Sequence, residues 1–222
     1  MSTSSVTRRI ASAATLLGHE IFGGSPGAAR AAGPLRRLPP ARQTIGRPLM
    51  QVLSARRSTR EYSSRALTDQ QLSDLLWAAC GVNRPGGDRT MPYWRHLMVV
   101  DVYAVMADGV WLYEPGLHAL RRHLDADLRA LTGTQDFVST APLNLVYAVQ
   151  GERMAGLSHE DRRLFGSVDA AFAGQNVYLY CASEGLGTVF RGAIEVPRLG
   201  QAMELPPGHF VVFAQTVGHL PV

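Results

Sequence analysis

The sequence predicts an α+β fold, with one mostly antiparallel central sheet flanked by helices. A D-G turn between two apolar, β-branched runs is typical of a β-hairpin, whose strands are antiparallel. The helical patterns do not alternate regularly with the strands, as they would in a parallel βαβ protein. The 222 residues, 46% apolar and 18% charged, suffice for one substantial core of an ordinary globular domain.

Two helices are predicted early in the folded region. Residues 47–55 (RPLMQVLSA) fit a short helix. Thr68 then opens TDQQLSDLLWAACG, with its hydroxyl as N-cap, Gln71 in the capping-box position and Gly81 beyond the end. Four apolar residues share one face of this second helix: Leu72, Leu75, Leu76 and Ala79. The sequence therefore predicts a helix that begins just after Thr68 and packs on a core.

The middle of the chain predicts three strands and further helix. Residues 96–105 (HLMVVDVYAV) lead through Ala107-Asp108-Gly109 into VWLYEP, which predicts a hairpin. Residues 117–131 suit one helix or two short ones. Residues 141–150 (APLNLVYAVQ), opened by Pro142, have the pattern of a buried strand.

A long helix is predicted over residues 167–187 (SVDAAFAGQNVYLYCASEGLG). It is apolar nearly all round, which places it centrally in the fold, and Gly185 and Gly187 stop it. A strand (TVFRGAI), a short helix (VPRLGQAM) and a last strand (HFVVFAQTVGH) complete the prediction.

The first 44 residues differ in composition from residues 45–222, which we expect to form the folded domain. Ala, Gly, Arg and Pro dominate them, and the Pro39-Pro40 pair marks the predicted boundary. Arg8 and Arg9 before an Ala-rich run are typical of a twin-arginine export signal, whereas the alternative is a flexible extension. His19 and Glu20 interrupt the apolar run, which is short for such a signal and far too short for a membrane span. We therefore expect a cytoplasmic protein, with export as the alternative.

The composition argues against several classes of site. The net charge is +4, and no basic stripe interleaved with aromatics or zinc-finger spacing points to nucleic acid. The seven histidines are scattered without an HxxxH or HExxH pair, so no metal site is expected. Cys80 and Cys181 each lie in an apolar helical pattern, which favours two buried inert thiols over a disulfide or redox pair.

Arginines concentrate in one short stretch of a chain that has no lysine. Residues 54–62 read SARRSTREY. A guanidinium group is a planar fork of donors that matches phosphate oxygens two at a time. Arg56, Ser58 and Arg60 would face one way if the segment is extended. The stretch therefore fits an anion pocket, and a solvated surface cluster is the alternative.

Four short motifs occur in order along the sequence. They are the Arg56–Arg60 segment (RRSTR), Gln175-Asn176 followed by Gly185-Leu186-Gly187-Thr188, then Arg191-Gly192, and finally Val217-Gly218-His219. Their order and separations, over residues 46–222, resemble the nitroreductase family of FMN-dependent oxidoreductases, whose first motif reads R-[RH]-S-x-[RK]. The resemblance implies the nitroreductase fold and a domain-entwined homodimer with FMN at the subunit interface.

The resemblance also implies roles for the matching residues. Arg56, Arg57 and Ser58 would hold the FMN phosphate and ribityl chain, and Arg60 would reach the pyrimidine edge of the ring. A fixed cation there would stabilise the anion that reduction creates. The loop at Arg191 and Gly192 would pass the flavin N5, where glycine permits close backbone approach. Gln135 is a further candidate for the pyrimidine edge.

Two departures from the family pattern concern the same site. The family's P-S-x-x-N-x-Q segment, which lines the flavin from the partner chain, is replaced here by Pro92, Tyr93, Trp94, Arg95, His96, Leu97 and Met98. Tyr93 and His96 would stack on the flavin or narrow the substrate pocket; the alternative is a remodelled site that binds the cofactor more weakly. The sequence also stops soon after His219, where larger relatives carry a basic segment, so we expect the phosphate to depend more on Arg56 and Arg57.

The resemblance predicts an enzyme that passes hydride from NADH or NADPH, through FMN, to a small planar acceptor such as a nitroaromatic or a quinone. Since the flavin carries this reaction, no catalytic side chain is assigned. The alternative is a catalytically silent protein of the same fold that acts as a ligand-binding or interaction subunit. Both hypotheses predict a small-molecule ligand and a homodimer.

Overall fold

The computed structural model describes residues 33–221, and its centre is one seven-stranded sheet. Every neighbouring pair of strands in it is antiparallel. The strands are β1 (Leu35–Arg37), β2 (Val100–Met106), β3 (Gly109–Glu114), β4 (Ala119–Leu124), β5 (Leu143–Gln150), β6 (Leu186–Arg191) and β7 (His209–His219), in the order β1-β4-β3-β2-β5-β7-β6. The predicted α+β architecture with an antiparallel sheet is confirmed.

Five α-helices flank this sheet within the described residues. They are α1 (Leu49–Ala55), α2 (Asp69–Cys80), α3 (Phe137–Thr140), α4 (His159–Glu184) and α5 (Val196–Ala202). The apolar faces of α2 and α4 pack with side chains such as Val102 and Leu145 in one core cluster. Leu199 of α5 packs in a second cluster. This cluster includes Tyr103 and Val146, which directly follow Val102 and Leu145 on the same strands. Because successive strand residues point to opposite faces, the helices cover the sheet on both sides.

Several local predictions are confirmed in detail. The Thr68 hydroxyl accepts the N–H of Gln71 at 3.2 Å, while the Gln71 carboxamide accepts the N–H of Thr68 at 3.0 Å. This reciprocal capping box fixes the first turn of α2. The β2–β3 hairpin turns at Gly109, whose φ of 137° is open to glycine. All eight residues of β5 are buried, as expected of a central strand.

The predicted helix over residues 117–131 is wrong. The chain instead forms strand β4 and later a short 3₁₀ turn at Arg129–Leu131. Strand β4 pairs on one side with β3 and on the other with β1, and Arg122 stacks its guanidinium 4.6 Å from the centre of the Trp111 ring. Cross-strand pairing of this kind outweighs the helical preference of a sequence rich in Leu, Ala and Arg.

Helix α4 is longer and less enclosed than predicted. It begins eight residues before the predicted start at 167, because the Ser158 hydroxyl caps it by accepting the N–H of Asp161. Gly185 ends it in a left-handed conformation, with φ of 72°. We expected this helix to be buried on all sides, but in one chain it is not, since Val168 and Phe172 are 43% and 44% exposed.

The described part of the N-terminal 44 residues packs on the domain. Strand β1 pairs with β4, and Leu38 is buried. The Arg42 guanidinium binds the buried carboxylate of Asp74 on α2, at 2.9 Å from Nε and 2.7 Å from Nη2. The twin-arginine pattern at Arg8 and Arg9 lies outside the described residues, so the predicted location stays a prediction. No helix within residues 33–221 has the length and apolar character that a membrane crossing requires.

Gly174 lets α4 approach strand β6 closely. A Cβ added to Gly174 would lie 2.5 Å from two carbons of the Phe190 ring. We predict that Gly174→Ala lowers the free energy of unfolding by roughly 1–3 kcal/mol, the usual cost of overpacking, despite the better helix propensity of alanine. Chemical denaturation would measure the change.

Gly200 in α5 is the matched control for this substitution. A Cβ there would meet only Leu205 Cδ1, at 3.9 Å, within the described structure. Gly200→Ala should therefore raise the free energy of unfolding by roughly 0.5–1 kcal/mol. Equal effects at the two positions would contradict the steric explanation.

Candidate functional site

The arginine-rich segment is extended and lies along the edge of the sheet. Helix α1 ends where the N–H of Arg56 donates to Val52 O at 2.9 Å. Three residues on, the N–H of Thr59 donates to Thr188 O of β6, also at 2.9 Å. Since β6 is the last strand of the sheet, the segment covers this edge, and the arginine-rich motif meets the Gly185–Thr188 motif, more than a hundred positions later in the sequence.

Tyr178 of α4 connects the arginine-rich segment to β6. Its hydroxyl lies 2.7 Å from the Ser58 Oγ and accepts the N–H of Phe190 at 2.9 Å. The Arg56 guanidinium lies 5.1 Å from the centre of the same ring, a cation–π contact. Arg56 and Ser58 therefore meet one side chain, as alternate residues of an extended segment can.

A cavity of about 400 Å³ opens beside this segment and the end of α4. No aspartate or glutamate lines it. Its lining residues are Arg47, Ser54, Ala55, Arg56, Arg57, Thr59, Tyr178, Cys181, Ala182, Gly185, Leu186, Thr188 and Leu220. Arg56, Arg57 and Arg60 form no ion pair with any described residue. Cationic side chains without carboxylates around a cavity favour the binding of an anion.

The opposite end of the segment leads to Arg191 through two aromatic rings. The Tyr62 ring packs on Phe137 of α3 with 5.6 Å between centroids, and the Arg191 guanidinium lies 5.7 Å from the Phe137 centroid. Burial raises the pKa of the Tyr62 hydroxyl well above its ordinary value. Tyr62 is thus a neutral packing residue that links the arginine-rich segment to the loop after β6.

The side chain of Arg191 points into the protein. Its guanidinium donates to Thr132 O at 2.9 Å, to Asn144 Oδ1 at 3.1 Å and to Thr216 Oγ1 at 3.0 Å. Its Nε is buried without a hydrogen-bond partner in the described structure. Burial lowers the pKa of this guanidinium to about 10. The predicted contact of this loop with a ligand therefore falls to its backbone and to Gly192, which is exposed.

Gln135 lies in the loop that faces this region. The N–H of Thr134 donates to Ala193 O at 3.2 Å, which ties the loop to the residue after Gly192. Gln135 lines a second cavity of about 400 Å³, whose lining also includes Glu195 and Arg198. The structure thus brings Gln135 together with Arg191 and Gly192.

Pro92, Tyr93 and His96 lie elsewhere in the chain. The N–H of Trp94 donates to Asp169 Oδ2 of α4 at 3.0 Å. Asp169 precedes Tyr178 by nine residues on this helix, so the two residues lie roughly 13–14 Å apart along the helix axis. The Tyr93 hydroxyl donates to Asp88, and the next loop residues, Arg95 and His96, have φ of 46° and 57°. One chain does not bring this segment to the arginine-rich one.

The sequence did not single out Tyr178, although the structure places it at the centre of the site. Its nearest signal is the Gln175-Asn176 motif, one helical turn before it. Asn176 itself donates from its Nδ2 to Thr90 O at 3.2 Å, and so fixes a loop. Within residues 33–221 no three His, Cys, Asp or Glu side chains are placed to share a metal ion.

Comparison with known proteins agrees with this architecture. The model of the nitroreductase family matches residues 53–219. A protein of Methanocaldococcus jannaschii named for that family is 35% identical over 155 residues, which are 65% of this chain and 78% of its own length. An NADPH-flavin oxidoreductase of Vibrio harveyi is 23% identical over 178 residues, or 77% of this chain and 65% of its own length.

Two solved structures show the same fold. A crystal structure of a Ralstonia eutropha protein, also named for the family, has a TM-score of 0.81 and 40% identity, and the match covers 93% of this chain and all of that one. The Vibrio harveyi NADPH:FMN oxidoreductase in complex with NAD⁺ has a TM-score of 0.59 and 22% identity, over 78% of this chain and 69% of that one.

We predict that Tyr178→Phe lowers the free energy of unfolding by roughly 1–2 kcal/mol. The variant keeps the ring but leaves the N–H of Phe190 and the Ser58 hydroxyl without this partner. Chemical denaturation, with hydrogen exchange at the Phe190 amide, would measure the effect. Tyr180→Phe is the control, because its hydroxyl makes only a 3.3 Å bond to Gln71 O. Equal losses in the two variants would contradict the role of Tyr178.

We predict that stability depends on pH through Asp169. Burial raises the pKa of this carboxyl to about 6. The folded state therefore holds its proton more tightly than the unfolded state, and this contribution to stability is full below about pH 4 and is lost as the pH rises through about 6.

The unfolding free energy of the wild type and of Asp169→Asn should be measured from pH 4 to pH 8. As the pH rises, the wild type should lose stability relative to the variant. The exposed Asp136→Asn serves as the control. A difference that stays constant over this range would contradict the prediction.

Proposed function

The chain belongs to the nitroreductase family, and on that premise we propose that it is an FMN-dependent oxidoreductase. Bound FMN would supply the redox chemistry, accepting hydride from a reduced nicotinamide and passing electrons to a small planar acceptor such as a nitroaromatic or quinone. The observation that carries this proposal is the cavity beside the Arg56–Arg57 pair, which no carboxylate lines.

The residues around this cavity fit a phosphorylated flavin. A phosphate monoester carries close to two negative charges and three acceptor oxygens at neutral pH. Arg56 and Arg57 offer guanidinium forks, and both are free of ion pairs with described residues. The Ser58 hydroxyl is exposed beside them and can add a donor to the ribityl chain.

The residues beyond the cavity would orient the ring. Arg60 follows in the same extended segment and would meet the pyrimidine edge, where a fixed cation stabilises an anion. The backbone N–H at Gly192 would donate to the ring nitrogen N5. Gln135, from the facing loop, would add a hydrogen bond at the pyrimidine edge. The packed rings of Tyr62 and Phe137 connect the arginine-rich segment to Arg191, and so would join the two sides of the proposed flavin site.

A homodimer would bring the remaining predicted residues to the site. The exposed large apolar side chains support a second subunit, because they are numerous on helices α1 and α4: Leu49, Met50 and Leu53, and Leu164, Val168 and Phe172. In such a dimer, Pro92, Tyr93 and His96 of one subunit would line the flavin bound mainly by the other.

The alternative, a catalytically silent flavin-binding subunit, is favoured by one feature. The loop that holds Tyr93 and His96 carries larger rings than the family pattern, and the His96 side chain is 89% exposed. Rings of this size could occupy the acceptor pocket.

Absorbance and turnover separate these possibilities. The purified protein should absorb as oxidised flavin, or do so after FMN is added, and NADH or NADPH should bleach this absorbance. Addition of a quinone or nitroaromatic should then restore it. Retained flavin without nicotinamide oxidation would support the silent alternative, whereas failure to take up FMN would refute both.

We predict that Arg60→Ala weakens FMN binding by about 10- to 100-fold, the effect of losing a charged hydrogen bond worth roughly 1.5–3 kcal/mol. The flavin should also become harder to reduce, with a midpoint potential lower by about 30 mV for each 1.4 kcal/mol lost in the reduced state. Arg37→Ala, exposed on β1 at the opposite edge of the sheet, should change neither value. Unchanged binding and potential in Arg60→Ala would remove Arg60 from the site.

A further inference from the structure

Arg47 lines the same cavity as Arg56 and Arg57, although it lies outside the residues that the family model matches. It precedes helix α1, and the family match begins later, at residue 53. Its backbone N–H donates to the Ser183 Oγ at 3.0 Å, and its guanidinium donates to Ala182 O. Both partners belong to the last turn of α4. Two hydrogen bonds therefore hold Arg47 at the C-terminal end of this helix.

Three arginines surround the cavity from both ends of α1. Arg47 lies before the helix, Arg56 and Arg57 lie after it, and all three line the same space of about 400 Å³. Glu184 lines a neighbouring cavity with Arg47, but the two form no ion pair. Three like charges around one cavity repel one another, and a dianion in that cavity would stabilise the arrangement.

Arg47 has a second effect on anion binding, because it lies at the C-terminal end of α4. The cavity lining includes Cys181, Ala182 and Gly185, where the helix presents its last carbonyl groups. This end of a helix carries a partial negative charge, about half an elementary charge, and so repels an anion. Arg47 donates directly to one of these carbonyls and offsets the repulsion.

We infer that Arg47 is the third guanidinium of the phosphate pocket, a binding residue supplied by the segment before α1. This inference rests on the proposed FMN site. Its chemical consequence is selectivity: the pocket should favour the phosphorylated flavin over riboflavin, which shares the ring but lacks the phosphate dianion. Arg47 would contribute to this difference and not to binding of the ring.

The test compares the binding of FMN and riboflavin to the apoprotein by fluorescence titration. Arg47→Gln should weaken FMN binding by at least about tenfold, as expected for a lost charge-assisted hydrogen bond, and should leave riboflavin binding within about twofold. Added salt should weaken FMN binding more in the wild type than in the variant. Arg37→Gln, on the opposite edge of the sheet, is the matched control and should bind both ligands as the wild type does.

A second variant guards against a change in folding. Ser54 lines the same cavity and is exposed, so Ser54→Asp adds a negative charge there without removing the contacts of Arg47. It should also weaken FMN binding selectively, which would locate the phosphate in this cavity.

Three results would overturn the inference. Unchanged FMN binding in Arg47→Gln would remove Arg47 from the pocket, and equal losses for FMN and riboflavin would assign it a structural role only. In both cases wild-type protein that binds FMN leaves the proposed function intact. Wild-type protein that binds neither ligand would refute the proposed function and this inference together.

Discussion

The candidate site depends on the hydrogen bonds that fasten the arginine-rich segment to the edge strand of the sheet. The backbone bond from Thr59 to Thr188 and the two bonds of the Tyr178 hydroxyl fix its direction. An extended segment held at several points displays its side chains in defined directions, whereas arginines on a free loop would lose binding energy to conformational entropy. The backbone at Arg56 and Arg57 is therefore held in place, and the Arg56 guanidinium also packs on the Tyr178 ring.

Arg191 gives the other side of the site a different character. Arg191 is only 4% exposed, and in the described structure its guanidinium donates to three neutral oxygens, those of Thr132, Asn144 and Thr216. A buried cation without a carboxylate is costly, and these three acceptors together with the Phe137 ring offset part of that cost. The positive charge remains in the protein beneath the loop that leads to Gly192, close to the proposed position of an electron-accepting ring.

Local structure could be predicted from the sequence, but the contacts between distant segments could not. The capping box at Thr68, the hairpin at Gly109 and the buried strand β5 each follow from residues within a few positions of one another. Strand β4 was missed because its Leu-, Ala- and Arg-rich sequence suggested a helix, and the pairing that overrides this preference includes strand β1, which lies more than 80 positions earlier in the sequence. The family motifs named Arg56 and Arg57, but Tyr178 and Arg47 reach the same cavity through contacts 120 and 135 positions apart in sequence, which no local pattern encodes.

The short strand β1 has a consequence for the length of the chain between it and Arg47. Strands β1 and β6 are the two margins of the sheet, and six spacings of about 4.8 Å separate them, or roughly 29 Å. The ten residues from Arg37 to Arg47 can span at most about 33–36 Å when fully stretched. On the way, Arg42 is tethered to α2 through Asp74. The five residues from Arg42 to Arg47 can span at most about 17–18 Å, so the length of this segment, as much as its composition, limits where the guanidinium of Arg47 can reach.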